Sequence, residues 1–185
     1  MDKKLRVGIN VWNLNATVIN RLLWKLFRLS LHITAKRMPE VEFIFIDTRI
    51  VSDDRKAFMP MGAFNDCPNS KEYKFSDTEE DLHLIGDLDI IFSDKLHLGL
   101  VCMSFGKPFI SVLGQAKTRL MLDNIGLSRN YFGTWRAFLL PFLLLSKKYI
   151  SDTIRKFEVP GIDTITSSAR GHLEELTGII SKYAR

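Results

Sequence analysis

A lysine and a histidine two residues apart open what reads as a buried helix, in Phe92-Ser-Asp-Lys-Leu-His-Leu-Gly99. The apolar run just before them, Leu88 to Phe92, reads as a strand buried on both faces. Ser93 or Asp94 is expected to cap the helix and Gly106 to end it. The first turn of a helix leaves backbone N–H groups without intrahelical partners, so it attracts anions. Lys95 adds a cation to that turn. His97 can donate a hydrogen bond or move a proton near neutral pH. Leu96 offers only its backbone. Gly99 lets the helix approach a neighbour closely, and Leu96, Leu98, Leu100, Val101, Met103 and Phe105 make it apolar on all sides. The bland alternative is a satisfied histidine beside a capping charge, and the residues alone leave both open.

Lys117 is a second candidate cation, after the Gly114 turn that follows the next strand. Its alternative reading is a solvated lysine at a helix start. Asp47, Asp53 and Asp54 fall in an irregular stretch without a histidine at ligand spacing, and His32, His83, His97 and His172 show no zinc pattern. Neither a metal nor a cofactor is expected. Cys102 reads as a buried free thiol, and Cys67 lies in a polar loop.

These residues need a scaffold, and the pattern supplies one. Leu5, Val7, Ile9 and Val11 alternate as a first strand. Ala16 to Lys36 is helical, with Ile19, Leu22, Leu23, Leu26, Ser30 and Ile33 expected on the buried face. Arg21, Lys25, Arg28, His32 and Lys36 form the opposite, basic face. Val41 to Ile46 is a second buried strand, and 47–70 an irregular connection. Lys71 to Phe75 is a short strand and the helix after it ends near Gly86. Phe109 to Leu113 is a strand opened by Pro108, and Ala116 to Ile125 a helix. Arg136 to Ile150 reads as an apolar helix bent at Pro141. A last helix, capped by Ser167 or Ser168, carries Leu173, Leu176, Ile180 and Tyr183 on one stripe. Strands alternating with helices predict a doubly wound parallel α/β sheet, in which ligands bind beyond the carboxyl ends of the strands. One domain over 1–185 is expected, with a core at about 4–127 and a helical extension at about 134–185.

At 185 residues, 46% apolar and 25% charged, the chain has the balance of a globular protein that can bury its own core. No apolar run is long enough to cross a bilayer and the start lacks a signal-peptide pattern, so the expected location is the cytoplasm. A net charge of +5 favours anionic partners. The basic face reads as a solvated face, with a peripheral contact at the inner face of the membrane, or with an acidic partner domain, as its functional alternative. Nucleic acid is not expected, since aromatics are not interleaved with that face.

Four stretches together resemble the polysaccharide pyruvyl transferase family. They are Asp89-Ile-Ile-Phe-Ser-Asp-Lys-Leu-His-Leu-Gly99, Met103-Ser-Phe-Gly-Lys-Pro-Phe-Ile110, Gly114-Gln-Ala-Lys117 and Leu122-Asp-Asn-Ile-Gly-Leu127. The family has a strand ending in serine, then Arg-Leu-His-Gly, Gly-x-Pro before a strand, and a conspicuous lysine. The resemblance implies a Rossmann-like domain, one half of a GT-B fold. It implies transfer of pyruvate from phosphoenolpyruvate to a sugar acceptor in cell-surface polysaccharide synthesis. Lys95 and His97 would bind the donor anion, with His97 as the acid or base and Leu96 and Lys117 beside them. Lys95 stands where the family has arginine. The region after the first strand, where the family has another arginine, is Asn10-Val-Trp-Asn13 here, so Asn13 is the candidate contact. A separate N-terminal domain or a homo-oligomer is expected to complete the cleft. Two alternatives remain. One is a heptosyltransferase-like GT-B glycosyltransferase using a nucleotide-sugar, and the other is a non-catalytic binding or interaction domain.

Overall fold

A computed structural model describes residues 4–11, 18–47, 69–75 and 78–158. Six strands form one sheet: β1 (Leu5–Asn10), β2 (Val41–Asp47), β3 (Ser70–Lys74), β4 (Ile90–Ser93), β5 (Phe109–Val112) and β6 (Tyr131–Phe132). All five neighbouring pairs are parallel, in the order β3-β2-β1-β4-β5-β6. The sheet therefore reaches one strand past the core boundary expected at residue 127. The helices are α1 (Val18–Arg37), α2 (Thr78–Asp87), α3 (Leu96–Ser104), α4 (Ala116–Asn124), α5 (Thr134–Ala137), α6 (Leu140–Leu144) and α7 (Lys147–Arg155). The single bent helix expected over Arg136 to Ile150 is thus three short ones. Pro141 sits in the first turn of α6, the place in a helix where a missing N–H costs nothing.

Side chains alternate across each strand, so the sheet feeds two cores. On one face Val7, Ile9, Phe43, Phe45, Ile90 and Phe92 pack with α1 and with Ala137, Leu140, Leu144 and Ile150. On the other, Ile44, Ile46, Ile91 and Phe109 pack with Ile85 of α2, Leu98, Cys102 and Met103 of α3, and Leu122 of α4. Helices on both faces of a parallel sheet make it doubly wound, as the alternating pattern predicts.

The buried side of α1 differs from the expectation. Leu23, Phe27, Ser30, Leu31, Thr34 and Ala35 face the sheet, while Ile19, Leu22 and Leu26 are exposed. The apolar sector of this helix is wider than one packing face, and the sheet and α6 take only part of it. α3 likewise buries one side, through Leu98, Gly99, Cys102 and Met103, and leaves Phe105 exposed. Cys102 is a buried free thiol, and desolvation pushes it up to about 12.

β2 is buried at every position, including Glu42. Its carboxylate survives burial by pairing with Lys71 of β3 at 2.5 Å and Arg6 of β1 at 3.1 Å. The hydrogen bond from Lys71 is the main reason that this carboxyl lies below its ordinary value of 4.5, and Arg6 adds to it. A carboxyl lowered by folding adds stability above its unfolded pKa and loses it as pH falls through the folded one. Glu42→Gln is expected to cost on the order of 1 kcal/mol at neutral pH. The deficit should shrink below about pH 4.5. Urea melts of both proteins across that range check this, and a deficit independent of pH would refute it.

Candidate functional site

The strand order reverses direction between β1 and β4, and at such a switch point the loops beyond the carboxyl ends part to leave a crevice. Asn10 ends β1 and Ser93 ends β4, side by side in register. Both are buried. The Asn10 amide donates to Ile46 O at 2.8 Å, and Ser93 Oγ donates to Asn10 Oδ1 at 3.0 Å. Ser93 Oγ also accepts from the Lys95 N–H at 2.9 Å, and the Asp94 N–H donates to Asn10 O at 3.1 Å. This network joins the ends of β2, β1 and β4 to the start of α3. It sets the direction in which that helix leaves the sheet.

Lys95 itself is the N-cap of α3, in an extended conformation, and among the described residues no side chain caps the helix. The capping role expected of Ser93 or Asp94 is therefore corrected. Ser93 holds the N–H of the cap residue, two positions on, rather than an N–H inside the first turn. Asp94 is buried and its Oδ1 lies 3.9 Å from Lys95 Nζ, so it steers that cation. His97 is the second residue of the helix, in the first turn as expected, and its ring is exposed. Leu96, half-buried, presents its N–H in the same turn. An uncapped helix start with an exposed lysine and histidine can take a phosphate or carboxylate.

Gly99 is what allows α3 to lie where it does. A Cβ there would stand 2.3 to 2.5 Å from three atoms of the buried Phe109 ring. The close approach expected of this glycine is thus made to the neighbouring strand.

One strand over, β5 delivers a second uncapped helix start. Leu113 adopts φ 55°, uncommon for a residue with a side chain, and turns the chain toward α4. Gln115 is the N-cap of α4, without a side-chain cap. Lys117 is the second residue of that helix and is exposed. The structure thus brings Lys95, Leu96 and His97 into one turn, with Lys117 at the adjacent strand end. Ser111 and Thr118, fully buried beneath this second start, have hydroxyls without a hydrogen-bond partner among the described residues. Asn13, together with Asp53, Asp54, Cys67, His172 and the expected final helix, lies outside the described residues. Among the described residues no group of three metal-binding side chains occurs.

Sequence reasoning missed Asn10 as the hub of the network. Its one signal was a polar residue closing an apolar strand at a carboxyl end. A cleft of about 780 Å³ lies elsewhere, between β5, β6 and α7, with Arg129, Asn130 and Tyr149 in its wall. Its lining includes residues on both sides of β6, Asn130 before it and Arg136 after it, which places this cleft beside the edge strand and apart from the junction of β1 and β4.

No protein-family model matches the sequence, and no curated protein matches it. Solved structures do. A UDP-GlcNAc 2-epimerase from Neisseria meningitidis, solved bound to UDP-GlcNAc, is similar over 86% of this chain and 40% of its own, at 17% identity and a TM-score of 0.56. A putative UDP-N-acetylglucosamine 2-epimerase from Listeria monocytogenes matches over 94% and 46%, at 11% identity and a TM-score of 0.57. S. aureus MnaA, in a co-structure with UDP, matches over 85% and 41%, at 10% identity and a TM-score of 0.56. The chain spans less than half the length of each. At such identities the likeness is one of fold, a Rossmann-like parallel sheet covered by helices on both faces.

Proposed function

We propose that this chain is the donor-binding half of a GT-B-like enzyme and takes a nucleoside diphosphate-sugar at its switch point. The observation that carries the reading is the uncapped start of α3, presenting Lys95 and His97 beyond the junction of β1 and β4. The donor's diphosphate would accept hydrogen bonds from the N–H groups of Leu96 and His97 and from the imidazole, while Lys95 offsets its charge. Lys117, at the next helix start, would meet a group farther along the donor. The fold neighbours solved with UDP-GlcNAc and with UDP support a nucleotide-sugar over other anions. The acceptor sugar and the groups that activate it would come from another domain or chain.

Phosphoenolpyruvate is the second reading, supported by the order of the Lys-Leu-His, Gly-x-Pro and lysine elements. Thermal melts separate the two. A ligand held at about a hundred times its Kd stabilises the native state by about 2.7 kcal/mol, or roughly 5–10 °C for a chain of this size. UDP and UDP-GlcNAc are expected to give such a shift, and His97→Ala to remove most of it. A shift with phosphoenolpyruvate alone would replace the first reading by the second. No shift with any of them would reduce the chain to an interaction domain.

A further inference from the structure

We propose that the outer surface formed by α1, α5 and α6 docks on an anionic membrane. Along α1, Val18, Ile19, Leu22, Leu26 and Leu29 are exposed, Leu22 to 52% and Leu29 to 55%. At 100° per residue they form one stripe, separate from the buried side. α6 lies alongside: Thr34 Oγ1 donates to Leu144 O at 3.0 Å, and Leu23, Phe27, Ala137 and Leu140 line one narrow gap between them. Two further large apolar side chains are exposed here, Trp135 of α5 to 81% and Phe142 of α6 to 72%.

Charge selects the occupant. The charged residues of α1 are Arg21, Lys25, Arg28, Lys36 and Arg37, with no acid among them. Lys25, Arg28 and His32 follow the apolar stripe on its other flank, where with Leu29 they line a groove of about 300 Å³, room for a lipid headgroup. An apolar stripe with exposed tryptophan and phenylalanine beside a purely basic flank is the pattern of a helix lying in a membrane interface. A second copy of the chain suits it less, because a two-fold contact along α1 would bring these cations face to face. The carboxyl end of β1 leads toward the start of α1, so docking would hold the switch-point crevice near the lipid surface.

Cosedimentation with vesicles tests this. The chain is expected to bind phosphatidylglycerol–phosphatidylcholine vesicles roughly tenfold or more tightly than phosphatidylcholine alone, and to release them in high salt. Leu22→Ser with Leu29→Ser, and separately Trp135→Ser with Phe142→Ser, should each lose most of the binding. Lys25→Glu with Arg28→Glu should abolish the preference for anionic lipid. Five of the six side chains are exposed and Arg28 is half-buried, so melting temperatures close to wild type are expected. Failure of the wild-type chain to bind anionic vesicles would overturn the proposal. So would a concentration-dependent dimer that the same substitutions dissolve, which would assign the surface to self-association. Binding that survives all three pairs would place the contact elsewhere and overturn it too.

Discussion

Gly99→Ala is expected to destabilise the domain by about 2 kcal/mol, although an alanine in place of a helical glycine ordinarily stabilises by about 1 kcal/mol. The sign turns on Phe109. The new methyl would stand 2.3 to 2.5 Å from three ring atoms, and the ring is fully buried in the core between the sheet and α3. It has nowhere to swing, so the helix must lift. A lifted α3 carries Lys95 and His97 with it, and the shift produced by a bound nucleotide should shrink along with stability. Phe109→Leu, itself destabilising, should recover part of the loss when combined with Gly99→Ala, a coupling that a double-mutant cycle reads directly. An unfolding free energy from urea melts within about 0.5 kcal/mol of wild type for Gly99→Ala would show that close packing is not what holds the helix.

Asn10→Leu should cost about 2–3 kcal/mol. The substitution keeps the volume but strips Ile46 O of its donor and the Ser93 hydroxyl of its acceptor, all in a dry environment. Ser93→Ala is expected to cost less, about 1–2 kcal/mol: it leaves the buried Asn10 Oδ1 without its donor, while the Lys95 N–H, at an exposed residue, is free to find water. The two losses should fall well short of additive, since they cut the same chain of hydrogen bonds. Both variants should also weaken nucleotide binding more than their stability alone explains, because the network aims the start of α3. Strict additivity, or binding untouched in both, would mean that the junction of β1 and β4 is merely structural.

The contrast between these two variants follows what could be seen from residues alone. A glycine in an apolar helix announces a close approach, though only the packing names Phe109 as the neighbour. Asn10 announces little. Its role depends on β4 lying beside β1, a pairing between segments more than eighty residues apart, and local pattern carries no information about strand order. The cap of α3 was misplaced for a related reason. Ser93 and Asp94 both have capping chemistry, but Ser93 is drawn to Asn10 and Asp94 is buried beside Lys95.

Local periodicity by itself determined the alternation of strands and helices, the runs buried on both sides of the sheet, and the place of His97 in a first helical turn. These depend on period and on neighbours close in the chain, and the same physics acts before and after folding. Only the tertiary structure decided the strand order that puts that turn beside β1, and the hydrogen bonds that orient it. It also decided which part of α1's apolar sector meets the sheet. The sector is too wide for one partner, so burial depends on what packs against the helix, and the stripe left over faces outward. The turn with Lys95 and His97 was legible because its chemistry is local. Its position at the switch point between β1 and β4 was not, because strand order belongs to the whole sheet.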